Sequence, residues 1–92
     1  MKKLSDLRNV GKATLEDLCL LQIQTVEELA RQDPTKLFHE LERRTQTRQD
    51  PCVWDVFAAI IHEASTGEPT NWWKWTSRRK TLQKTGALKH VI

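Results

Sequence analysis

The sequence predicts an all-α fold, and three observations carry that prediction. No segment alternates apolar and polar residues strictly enough for a surface strand. Apolar residues recur instead at three- and four-residue spacing, at Leu15 and Leu18, at Val26, Leu29 and Ala30, and at Leu37, Phe38 and Leu41. Three of the implied helices also open on capping residues, namely Thr25, Asp33 and Asp50. About five short helices are expected. Ninety-two residues make one small domain, able to bury only about 60–65% of its unfolded surface. That leaves no room for both a deep enzyme cleft and a second domain.

Leu4 to Arg8 supplies barely more than one helical turn and must lean on a neighbour. Lys12 to Leu21 forms the second helix, with Leu15, Leu18, Cys19 and Leu21 on its inner side. Gln22, Ile23 and Gln24 break the period. Thr25-Val26-Glu27-Glu28 is then a capping box, with Thr25 accepting from the Glu28 N–H and Glu28 reaching back. Asp33-Pro34 starts a helix running to about Arg43, and Asp50-Pro51 starts the longest one, from Val53 through Trp54, Phe57 and Ile61 to Ala64. In both, Asp caps the free N–H groups and Pro sets φ at the first helical position. Gly67 stops the last helix in the left-handed conformation. Trp54 is expected in or beside the core.

The stretch Asn9-Val10-Gly11-Lys12-Ala13-Thr14 reads as a tight turn between the first two helices. Gly11 accommodates positive φ at no steric cost, and Asn9 is among the few other residues that tolerate it. The helix that follows begins with N–H groups that have no intrahelical partner, and no carboxylate stands before Glu16. Such a terminus suits an anion, and a phosphodiester fits a bare turn best. A turn that merely packs the fold, or one that docks on a protein, is the alternative.

From Leu7 to Leu18 the chain resembles a helix-hairpin-helix motif, with Asn9 in place of the usual first glycine. From about Leu4 to Trp75 it resembles the small bacterial proteins of the pathogenicity-locus family. The resemblance implies a compact tandem helix-hairpin-helix-like domain, residues 1–75, whose second hairpin is Thr45-Gln46-Thr47-Arg48-Gln49-Asp50. That hairpin lacks glycine, and the Asp50 carboxylate would repel a phosphate, so it is expected to be degenerate. The resemblance also allows a monovalent cation among hairpin carbonyls near Asn9 and Gly11. It implies phosphate contacts from Arg8, Asn9, Val10, Gly11, Lys12, Ala13 and Thr14.

The charge is unevenly distributed. Residues 1–71 carry nine Lys/Arg against twelve Asp/Glu, whereas residues 72–92 carry six basic residues and no acidic one. An acidic body with a basic tail follows, and since DNA binders carry their charge on the folded face, the split argues against tight duplex binding. Asn71-Trp72-Trp73-Lys74-Trp75, followed by Arg78-Arg79-Lys80, would let indoles stack on unpaired bases while cations track the backbone. The commoner fate of such tryptophans is to fold back over the core with their N–H groups bonded. Contact with a partner or an anionic membrane surface is a further reading, though no amphipathic period supports the membrane. Residues 76–92 have little to bury and read as a mobile, irregular basic tail.

Catalysis finds little support. His39, His62 and His90 are scattered, and His62-Glu63 lacks a second histidine at zincin spacing, so no metal site is indicated. Cys52 opens a helix, where the dipole lowers a thiol pKa, but no histidine base adjoins it. Cys19 and Cys52 read as buried, reduced core thiols. With no signal segment and no apolar run long enough to span a bilayer, a cytoplasmic, non-enzymatic protein is expected, without a membrane or small-molecule partner. The expected function is weak, sequence-independent DNA binding as an accessory module, alongside a protein of DNA metabolism. A protein-interaction module with no nucleic-acid activity is the alternative.

Overall fold

The computed structural model describes residues 2–92. Among them run a 3₁₀ turn at Leu4–Asp6, α1 (Lys12–Leu20), α2 (Val26–Ala30), α3 (Pro34–Thr45), α4 (Cys52–Thr66), a second 3₁₀ turn at Trp72–Trp75, and α5 (Thr76–Thr85). The fold is all-α, as the apolar spacing implies, with no strand among the described residues.

Helix α4 is the axis on which most of the others pack, because its sequence is apolar nearly all round. Trp54, Phe57, Ala58, Ala59, Ile60 and Ile61 are all buried. Helices α2 and α3 and the Trp72–Trp75 turn lie against it. Leu18 and Leu21 from the α1 region, Leu29 from α2, and Leu37, Phe38 and Leu41 from α3 complete the core. Trp54 is 2% exposed, and its indole N–H donates to Thr35 Oγ1 at 3.0 Å, which makes a buried polar atom tolerable there.

The local start signals hold. Asp33 Oδ1 accepts from the N–H groups of Thr35 and Lys36 at 2.8 and 3.1 Å. Thr25 Oγ1 accepts from Glu28 N–H at 3.1 Å, and Glu28 reaches back to the N–H of Gln24 rather than of Thr25. Gly67 ends α4 at φ 80°, with its N–H bonded to Glu63 O at 2.8 Å.

Two expectations are corrected. The basic tail is not irregular: residues 76–85 form α5, Leu82 packs on the core, and Leu88 is 7% exposed within it. Apolar content alone would not order this segment. The Asp55 carboxylate, fully buried on α4, supplies the anchor by accepting from Arg79 Nε at 3.0 Å and from Thr76 Oγ1 at 2.8 Å. Cys19 is exposed and Cys52 only half-buried. Leu18 points straight into the core, and the helical step turns Cys19 away from it.

Candidate nucleic-acid interface

The first turn is held from below by one buried glutamate. Glu63, 4% exposed on α4, accepts the main-chain N–H of Arg8 at 2.9 Å through Oε1 and pairs with Lys2 Nζ at 3.3 Å through Oε2. Val10 N–H closes the bend on Leu7 O at 3.3 Å, and Leu4 and Leu7 anchor it in the core. Asn9 takes the left-handed conformation, at φ 73°. Asparagine is among the few non-glycine residues that tolerate this conformation, and its side-chain amide donates to Thr70 O, 61 positions away, at 2.7 Å.

Gly11 does not take positive φ. It sits extended at φ −100°, ψ −170°, as the cap of α1, and a Cβ built on it would meet nothing within 4 Å. Asn9 has taken over the turn's special conformation, and Gly11 instead leaves the helix start uncovered. The first α1 bond runs from Leu15 N–H to Gly11 O at 2.9 Å. Among the described residues no acceptor reaches the N–H groups of Gly11, Lys12, Ala13 or Thr14. Gly11, Lys12 and Ala13 are exposed and Thr14 half-buried, and no acidic residue lies in the first turn of α1. The side chains of Arg8 and Lys12 belong to exposed residues on either side, while Val10 packs its side chain against the core. Four free donors, a helix dipole and a lysine converge on one patch of solvent. For a monovalent cation, Gly11 O is already engaged, whereas Asn9 O accepts no hydrogen bond among the described residues.

The second turn has the opposite character. Helix α3 ends on Gln46 at φ 52°. Asp50 Oδ1 takes the N–H of Cys52 at 2.8 Å, and Asp50 O and Pro51 O take those of Val53 and Trp54. The bond from Cys52 N–H holds the Asp50 carboxyl below the usual aspartate range. Beneath this turn Glu42, fully buried, accepts from Gln49 N–H and Val91 N–H at 2.9 Å each and from His90 Nδ1. Burial pushes the Glu42 carboxyl up, but these hydrogen bonds outweigh it and leave it below its ordinary value. Residues 89–92 therefore lie across the second turn, with His39 Nε2 bonded to Lys89 O at 2.7 Å and Arg48 Nε to Ile92 O at 2.7 Å. The Cys52 thiol is pushed up, first by burial and then by its hydrogen bond and charge interaction with Asp50.

The tryptophan segment divides in two. Trp75 is half-buried against the core, its N–H bonded to Thr70 Oγ1 at 2.9 Å, with His62 5.3 Å from its ring and Arg78 5.2 Å over it. Two shallow clefts of about 360 and 310 Å³ meet at Trp75, His62 and Arg78. Trp73 faces solvent at 57% exposure, braced edge-on by Trp72 with ring centroids 5.7 Å apart. Lys74, Arg78 and Lys80 are exposed. Arg79, expected among the nucleic-acid contacts, is instead taken by Asp55, whose hydrogen bonds raise the guanidinium pKa further.

Sequence reasoning missed Glu42, Asp55, Glu63 and Thr70. The first three are buried carboxylates, each tying a distant segment to the α3–α4 core. Asp55 carried a signal, since it interrupts the apolar run Val53–Ile61 on a helix too apolar to have a solvent face. Glu42 and Thr70 carried none.

Among the described residues no three His, Cys, Asp or Glu side chains gather as a metal site. No helix there is long and apolar enough to cross a membrane. Residues 1–81 match the family described as pathogenicity locus, Cdd1. The chain is also 28% identical over 79 residues to a protein of Streptomyces lavendulae named mitomycin resistance protein McrB, covering 86% of this chain and 75% of that one. No solved structure matches it. The chain belongs to the pathogenicity-locus family.

Proposed function

We propose that this member of the pathogenicity-locus family is a non-catalytic module that binds DNA weakly and without sequence choice. It grips a backbone phosphate at its first turn in the manner of a helix-hairpin-helix. The observation that carries the reading is the uncovered start of α1, where four main-chain donors stand free beside Lys12. A phosphate oxygen there receives charge-assisted hydrogen bonds from the Gly11 to Ala13 amides. Lys12 and Arg8 neutralise its charge, and Thr14 and Asn9 flank it. No base-reading element is visible among the described residues, so positioning without sequence readout is expected. The concern that positive charge lies off the folded face is eased by α5, which carries Arg78, Lys80 and Lys84 on the body itself. Three of the body's twelve acidic residues are buried as well.

A single grip means few phosphates and modest affinity, falling with salt at a log–log slope of about −1 per phosphate contacted. Lys12→Glu is expected to abolish retention of duplex DNA while leaving the helical spectrum unchanged. Retention unaffected by that substitution would remove the first turn from the account. The other reading, a protein-interaction module, draws on exposed Leu20 and Trp73. It requires a partner that co-purifies after nuclease treatment. The relative's name records resistance and fixes neither a ligand nor a reaction for this chain.

A further inference from the structure

The first turn and the tryptophan segment are one unit, joined through Thr70. The main-chain oxygen of Thr70 accepts the Asn9 side-chain amide at 2.7 Å, and its hydroxyl oxygen accepts the Trp75 indole N–H at 2.9 Å. Trp73 lies only three residues beyond Thr70, a span of at most about 10 Å even if extended. Its ring is exposed, yet Trp72 holds it edge-on. From Asn71 to Lys84 the chain carries Lys74, Arg78, Arg79, Lys80 and Lys84 and no carboxylate.

These features ask for different parts of a polyanion. The free amides at α1 take a phosphate, whichever strand it belongs to. A base stacks on Trp73 only if its face is free, which a paired, stacked base does not offer. Resting on the phosphate reading above, the geometry points to a junction between duplex and single-stranded DNA as the ligand class. The turn holds a backbone phosphate at the end of the duplex, the first unpaired base stacks on Trp73, and Lys74 and Arg78 follow the departing strand. Arg79 takes no part, being held by Asp55.

The test measures fluorescence anisotropy with three labelled DNAs of matched length: a blunt duplex, a single strand and a splayed fork. Wild-type protein should bind the fork about tenfold more tightly than the duplex. Trp73→Ala should bring the fork down to the duplex value without changing the duplex, and Trp73→Phe should restore most of the difference. Lys12→Glu should weaken all three. Equal binding of fork and duplex by wild type overturns the junction inference, as does Trp73→Ala weakening both alike. In either case the phosphate reading survives if Lys12→Glu still weakens binding. If Lys12→Glu changes nothing, the phosphate reading fails and the junction inference fails with it.

Discussion

The two turns of this molecule are built to one plan and end in opposite states. Each is underpinned by a buried glutamate that accepts a main-chain N–H: Glu63 from Arg8 and Glu42 from Gln49. Each contains a non-glycine residue at positive φ, Asn9 or Gln46, and each feeds a helix. At the first, the helix cap is Gly11 and the donors behind it are free. At the second, Asp50 has taken the leading donor and residues 89–92 cover the glutamate. Whether a helix start is open to an outside anion is thus decided by one side chain at the cap and by what lies over the turn. The backbone path alone does not decide it.

The largest expected effect tests how firmly the second turn is closed. Glu42→Leu takes the shared acceptor from the N–H groups of Gln49 and Val91 and from the ring of His90, three donors at once. It should cost about 3 kcal/mol in denaturant unfolding. Glu63→Leu should cost less, about 1–2 kcal/mol, because Lys2 is 54% exposed and regains water. Equal costs would mean that the two turns are equally closed.

Gly11→Asp transplants the second turn's cap onto the first. The extended backbone and open space at Gly11 accept the side chain without strain. Its carboxylate should bond the α1 amides, raising stability by a few tenths of a kcal/mol while lowering DNA affinity at least tenfold. Stability and binding moving together would break the comparison.

The parts legible in the sequence are those set by neighbours along the chain. Asp33-Pro34, Thr25 and Gly67 each act within four residues, so their helix boundaries could be read directly. The bare start of α1 was legible for the same reason, since it needs only the absence of a nearby carboxylate. What escaped depends on residues far apart. Helix α5 is fixed by Arg79 on Asp55, 24 positions away, and the closure of the second turn by Val91 on Glu42, 49 away. No local pattern announces such pairs. The choice of Asn9 over Gly11 for positive φ was likewise set at a distance, by Thr70.

Acid should loosen the second turn. Glu42 and Asp50 both have folded pKa values below their ordinary ones, so the folded state binds protons less readily than the unfolded chain. Their stabilisation is complete above the unfolded values and is lost as the pH falls through the folded ones, below about pH 4. Amide protection at Gln49, Cys52 and Val91, taken relative to the intrinsic exchange rate at each pH, should fall in that window, and Glu42→Gln should flatten the fall in denaturant midpoint between pH 6 and pH 3.

The smallest effect concerns the thiol at the start of α4. The carboxylate that closes this helix start to a phosphate also opposes formation of a Cys52 thiolate, adding to the effect of burial. The thiolate is the form that alkylates. In a Cys19→Ser background, Asp50→Asn should therefore speed alkylation of Cys52 severalfold at neutral pH, although asparagine can still cap the helix. An unchanged rate would assign the raised pKa to burial alone. It would also weaken the case that one negative charge keeps the second helix start closed to thiolate and phosphate alike.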